Sequence, residues 1–180
     1  MDKAAVFIDG GYLARVLKDE YREVAIDFLA LSEKLCQGCD RLRTYYYTCM
    51  PYQSSPPTTE EKARYAAMDR FVYSLKKIPR FEVRLGKLSY IRGEFVQKRV
   101  DVLLSVDLVR MSWGRQIQRA VLLSGDSDLV PAVQAAKEAG ILTQVYYSRK
   151  SFHDELLQAS DDRFEITKEL INSVKLKTKA

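Results

Sequence analysis

The stretch Ala120-Val121-Leu122-Leu123-Ser124-Gly125-Asp126-Ser127-Asp128 reads as a short buried strand that runs into a glycine turn and two aspartates. A helix is expected next, from about Leu129 to Ala139, closed by Gly140. The beginning of the chain is built the same way. Ala4-Ala5-Val6-Phe7-Ile8 is an apolar run ended by Asp9-Gly10-Gly11, and Leu13, Val16 and Leu17 then fall at helix spacing. Twice, therefore, a buried strand ends in an acid and a helix follows.

Working outward, the same alternation continues. Asp27 is placed to cap a helix to Leu35, whose apolar stripe is Phe28, Leu31 and Leu35. Leu42 to Tyr47 is strand-like. Pro51 to Thr59 is a loop, and Thr58 or Thr59 caps a helix that carries Glu60 and Glu61 and runs to about Lys77. Phe81 to Leu85 alternates as a strand, and Leu88 to Val96 reads as a hairpin around Arg92-Gly93-Glu94, inserted beside the main sheet. Val100 to Met111 is long and apolar enough for a buried helix. Gln144 to Tyr147 is a further strand. A short helix near Phe152 to Leu157, a segment Phe164 to Ile166 and a terminal helix complete the chain, and the tail Lys175, Lys177, Lys179 is expected to fray.

Strands alternating with helices predict an α/β fold: a three-layer sandwich around a central, mostly parallel sheet, with a small β-hairpin insertion. The expected division is one domain over 1–166, followed by a C-terminal helix and basic tail over 167–180.

At 180 residues, with 47% hydrophobic and 29% charged, the chain is long enough to bury a core and too apolar to be disordered. Its 29 Lys and Arg against 24 Asp and Glu give +5, a surplus that permits a polyanionic partner without requiring one. Three cysteines exclude a disulfide framework and fit a reducing cytoplasm. No run approaches the ~20 apolar residues of a membrane helix, and the N-terminal run stops at Asp9 with no cleavage site, so no membrane or secretory role is expected.

In a parallel sheet, the carboxyl ends of neighbouring strands line a crevice where strand order reverses. If the two acid-ended strands are neighbours, Asp9, Asp126 and Asp128 converge there, and Asp101, at the start of an apolar helix, could point to the same place. Gathered carboxylates repel one another unless a cation sits between them, and oxygen ligands suit Mg²⁺ or Mn²⁺. Such an ion could activate a water against a phosphodiester. The plainer reading is that Asp126, Asp128 and Gly10-Gly11 are simply caps and a turn.

Three segments, Phe7-Ile8-Asp9-Gly10-Gly11-Tyr12-Leu13, Lys98-Arg99-Val100-Asp101-Val102 and Ser124-Gly125-Asp126-Ser127-Asp128-Leu129-Val130-Pro131, resemble, in order, the signature segments of the NYN-domain family, of PIN-like nuclease fold. Ala159 to Phe164 resembles the stretch after the last core strand of such proteins. The resemblance implies a metal-dependent ribonuclease acting on RNA. By position, Asp9, Asp101, Asp126 and Asp128 would be its catalytic and metal-binding carboxylates, with Ser124, Tyr12, Lys98 and Arg99 toward the substrate. Tyr12 stands where many members have Asn, and Arg99 where Gly is frequent. Asp107, six residues after Asp101, is expected on another face, paired with Arg110 at the surface.

The basic residues Lys76, Lys77, Arg80, Arg84, Lys87, Arg92, Lys98 and Arg99, with Tyr90 and Phe95, form either an RNA-binding wall or an ordinary solvated face. Arg41 and Arg43 with Tyr45 to Tyr47 allow the same two readings. An exposed hairpin edge could also join two copies in a homodimer. Cys36-Gln37-Gly38-Cys39 sits at a helix end, which does not activate a thiolate, and only Cys49 and His153 remain to complete a zinc site. His153 is expected at the surface near a helix start. A competing reading keeps the fold but makes it a non-catalytic RNA-binding or regulatory module. A dehalogenase-like phosphatase would need an acid at position 11, which is Gly.

Overall fold

The computed structural model describes residues 1–91 and 94–176, with side chains at 1–88 and 99–176. In chain order the elements are β1 (Lys3–Asp9), α1 (Gly10–Tyr21), α2 (Phe28–Leu35), β2 (Asp40–Cys49), α3 (Thr59–Lys76), β3 (Phe81–Ile91), β4 (Glu94–Lys98), α4 (Val100–Trp113), β5 (Arg119–Leu123), α5 (Val130–Glu138), β6 (Leu142–Tyr147), α6 (Asp154–Ala159), β7 (Asp162–Glu165) and α7 (Lys168–Ser173).

The strands form one sheet in the order β4-β3-β2-β1-β5-β6-β7. Each neighbouring pair from β3 to β7 is parallel, and β4 joins β3 antiparallel at the edge. The chain winds outward from β1 through β2 to β3, then returns to the other side of β1 and winds outward again through β5, β6 and β7. The order therefore reverses between β1 and β5.

Parallel strands covered on both faces must be apolar throughout, and Ala4 to Ile8 are all fully buried. Their side chains alternate between two cores. Ala5 and Phe7 join Tyr45, Tyr47 and Leu122 under Leu104 and Leu108 of α4, Val133 of α5 and Leu156 of α6. Ala4, Val6 and Ile8 face the other way, with Val121 and Leu123, onto Leu13 of α1, Leu31 of α2, Leu75 of α3 and Ile171 of α7. This is the expected three-layer sandwich.

Local chemistry sets the helix starts. The Asp27 carboxylate accepts from the N–H groups of Leu29 and Ala30. Thr58 and Glu61 form a reciprocal capping box at the start of α3.

Three expectations change. β3 runs unbroken from Phe81 to Ile91, pairing with β2 through its first half and with β4 through its second. The hairpin is thus an extension of a core strand, and Arg92 and Gly93 lie outside the described residues. A single 3₁₀ turn, Ser127–Leu129, precedes α5, because Asp126 caps the Asp128 N–H before the chain reaches helical geometry. Lys175 is tied down by an antiparallel bridge to Ile26, while Lys177 and Lys179 lie outside the described residues. No helix among the described residues is long and apolar enough to cross a membrane.

Candidate active site

The sheet puts Ile8 opposite Leu123, so Asp9 and Ser124 leave adjacent strands side by side. Asp9 caps α1, its Oδ1 accepting the Tyr12 N–H at 3.0 Å. Its Oδ2 receives the Ser124 hydroxyl at 3.4 Å. Ser124 Oγ in turn accepts the Asp126 N–H at 3.3 Å, and Asp126 Oδ1 accepts the Asp128 N–H at 3.0 Å. A chain of hydrogen bonds thus crosses the point where strand order reverses.

Asp101 arrives from the first turn of α4, a helix packed against both β1 and the turn after Asp126. Burial raises its pKa above the ordinary 3.8, and the charges of Asp126 and Asp128 raise it further. Burial likewise raises Asp9; the Tyr12 N–H opposes the shift, and the charges of Asp101 and Asp126 add to it. Asp9, Asp101 and Asp126 therefore lie within electrostatic reach of one another, and Asp128 within reach of Asp101. Yet, among the described residues, no group of three or more His, Cys, Asp or Glu side chains is spaced to hold a metal ion. All-oxygen donors, two of them raised in pKa by burial and then by neighbouring carboxylates, match a hard divalent cation chemically, while their spacing is that of an open cluster.

Two glycines make room for this arrangement. A Cβ on Gly10 would lie 2.5 Å from the Tyr46 ring. One on Gly125 would lie 2.5 Å from the Ser151 carbonyl oxygen and 2.7 Å from the Tyr12 ring.

Tyr12 is only 4% exposed. Its hydroxyl donates to the Ser151 carbonyl and accepts the Ser148 N–H at 2.8 Å. Glu20 accepts from the Ser148 hydroxyl. Expected at the substrate, Tyr12 instead supports the site from behind, fastening the loop after β6 against Gly125. Ser148, Ser151 and Glu20 were missed from sequence because they lie more than a hundred residues from their partners and belong to no motif. His153 is exposed, as expected, and stands at the start of α6 without capping it by its side chain; its Nδ1 lies 2.8 Å from the Gly125 carbonyl oxygen instead.

Arg99 precedes α4 with φ +75°, in the left-handed region, which accounts for the glycine often found there. It is exposed; the Lys98 side chain lies outside those described. Asp107 corrects an expectation. It does pair with Arg110, at 2.9 Å, but it is buried and not at the surface. It also accepts from the Tyr47 hydroxyl and from Arg84 Nε, both at 3.1 Å. Arg84 is thereby withdrawn from the basic wall, and Arg80 pairs with Asp40. Lys76 and Lys87 remain exposed. Cys36 is buried, which pushes its thiol up to about 12 and leaves it unreactive.

Residues 3–168 match the NYN domain. The chain belongs to the NYN-domain family. The PIN-like nuclease fold is the structural setting of this family, and the sheet described above agrees with it. An uncharacterized protein, y4oD, from Sinorhizobium fredii is 37% identical over 82 residues, which is 44% of this chain. The match spans only 38% of that protein's length. A solved protein of unknown function from Vibrio parahaemolyticus, VPA0982, superimposes with a TM-score of 0.69 over 97% of this chain and 96% of its own, at 18% identity. That likeness establishes the fold.

Proposed function

We propose that this NYN domain is a metal-dependent endoribonuclease that hydrolyses RNA phosphodiesters at the carboxyl ends of β1 and β5. The observation carrying this reading is the meeting of Asp9, Asp101, Asp126 and Asp128, from three separate parts of the fold, at the strand-order reversal. These four residues would hold Mg²⁺ or Mn²⁺. The ion would supply a lowered water pKa and neutralise charge on the phosphate. Ser124, expected at the substrate, is fully buried; its hydroxyl, between Asp9 and the Asp126 N–H, would hold those two groups in place rather than touch the phosphate. Arg99, with Lys98 beside it in sequence, would meet the flanking backbone of the RNA. Tyr12 holds Gly125, and so the turn carrying Asp126, in place. Attack by water would leave a 5′-phosphate and a 3′-hydroxyl.

The test combines cleavage of RNA in Mn²⁺ with a thermal shift. Asp9→Asn retains a helix cap but removes a charged ligand. It should abolish cleavage and also lose the Mn²⁺-dependent rise in melting temperature expected of the unchanged chain. If Asp9→Asn cleaves as well as the unchanged chain, the site is wrong. The open carboxylate spacing favours one second reading, an RNA-binding module without catalysis. RNA binding that is indifferent to metal, with no cleavage, would establish it.

A further inference from the structure

At the amino end of the sheet, the register sets Arg41 of β2 and Arg119 of β5 on either side of Ala4 in β1. Residues paired in one row share a face, so both side chains leave the sheet on the side that carries Ala4 and α2. Their Nε atoms are the buried side-chain polar atoms left without a hydrogen-bond partner among the described residues.

Arg41 is only 5% exposed, and it forms no ion pair with a carboxylate among the described residues. Its Nη1 donates to the Thr44 hydroxyl at 3.3 Å and to the Arg80 carbonyl at 3.1 Å. Its Nη2 donates to the Pro79 carbonyl at 3.2 Å. Nη2 therefore keeps one N–H free, and Nε keeps its own. These two nitrogens form the edge of a guanidinium that can grip two oxygens of one anion. A buried cation served only by neutral acceptors is costly, and an anion would offset that cost.

Arg41 lines a pocket of about 410 Å³ together with Glu33, Cys36, Cys39, Asp40 and Arg80. Its guanidinium feels that pocket: burial lowers the Arg41 pKa, the charge of Arg80 lowers it further, and Glu33 and Asp40 oppose. Arg119 reaches the same place. Burial pushes the Cys36 thiol up, and the charges of Arg41, Arg119 and Arg80 all act against that push. Of the two acids, Asp40 is held by Arg80 at 3.2 Å and Glu33 is exposed. The carboxyl end of α2 adjoins the pocket and does not favour an anion, so the guanidiniums must supply the attraction.

We propose that this pocket binds the phosphate group of a small molecule through Arg41, Arg80 and Arg119. Arg41 would take two phosphate oxygens along its Nε and Nη2 edge, and Arg80 would turn from Asp40 to a third. The volume admits a mononucleotide as well as free phosphate. Ala4 and Asp9 lie at opposite ends of β1, about 17 Å apart along an extended strand, so this pocket is separate from the acidic cluster.

The test is a titration of the metal-free chain, with a chelator present, followed by NMR of backbone amides and arginine Nε–H groups. Chloride holds the ionic strength constant. Inorganic phosphate should shift the Arg41 Nε–H and the amides of residues 36–41 and 80, half-saturating below about 5 mM. Arg41→Lys keeps the charge but loses the two-pronged edge, and should bind at least about tenfold more weakly. Should that variant fold poorly, Arg80→Asn serves instead. The Arg80 side chain is half exposed, and Asn accepts the left-handed backbone that Arg80 holds at φ +59°. It should bind about threefold more weakly. A 5′-mononucleotide that binds more tightly than phosphate identifies a nucleotide as the source, and one that binds no more tightly identifies free phosphate. Either result carries the proposal, and a nucleoside without phosphate should shift nothing here. An Arg41 Nε–H that does not move, shifts confined to the surroundings of Arg99, or undiminished affinity in the variants would overturn it. Neither metal nor RNA takes part, so the outcome is independent of whether the chain cleaves RNA.

Discussion

The hydroxyl of Tyr12 accepts the backbone N–H of Ser148 at 2.8 Å, joining residues 136 positions apart. The same oxygen donates to the Ser151 carbonyl, so one side chain fastens the start of α1 to the loop after β6.

Tyr12→Phe keeps the ring against Gly125 but leaves a buried N–H and a carbonyl without this partner. A loss of about 1–3 kcal/mol is expected, read from chemical denaturation. Hydrogen exchange should speed up at residues 148 to 153. A loop that exchanges as slowly as before would show that the hydroxyl is dispensable.

Asp101 has a raised pKa in the folded chain, chiefly from burial and then from Asp126 and Asp128. Between its ordinary 3.8 and the raised value, the folded chain binds more protons than the unfolded one. The stability it contributes is therefore full below 3.8 and drains away as pH rises through the raised value. Asp101→Asn should melt higher than the unchanged chain at pH 7, with the difference closing as the pH approaches 3.8. Calorimetry across that range checks this, and a lower melting temperature for Asp101→Asn at neutral pH would contradict it.

Arg99 holds a left-handed backbone conformation that glycine adopts freely. Arg99→Gly should therefore stabilise the chain by about 1 kcal/mol while weakening its hold on RNA. The salt dependence of RNA binding should fall by about one unit of slope, as for the loss of one phosphate contact. Unchanged RNA affinity would remove Arg99 from the proposed substrate path.

The layered fold was legible from sequence because β1 and β5 are short apolar runs, each closed by polar turn residues, and the helices carry local caps such as Asp27 and Thr58. Asp9, and Asp126 and Asp128 after a Ser-Gly turn, could be named for the same reason, because each follows a buried strand; the role of Asp101 rested on the family resemblance. Asp107 was misplaced because helical spacing gives direction but not depth. What lies above its face is Tyr47 and Arg84, from strands β2 and β3. The latch on Tyr12 was invisible for another reason. Its partners are mostly backbone groups, which carry no residue signature. The hairpin was read as separate because Gly86-Lys87 interrupts the alternation, yet the backbone continues through it in extended form.

The central position of β1 also determines when the site can come into being. Asp9 closes the first strand of the fold, but Ser124, which meets it from the end of β5, lies 115 residues further along. During synthesis β1 can pair with β2 while its other edge stays open. A nascent chain emerging residue by residue therefore carries an incomplete acidic cluster until β5 has left the ribosome. Closing so long a loop is slow compared with forming the local helices. Any ligand that needs all four carboxylates is thus met only by a nearly finished domain.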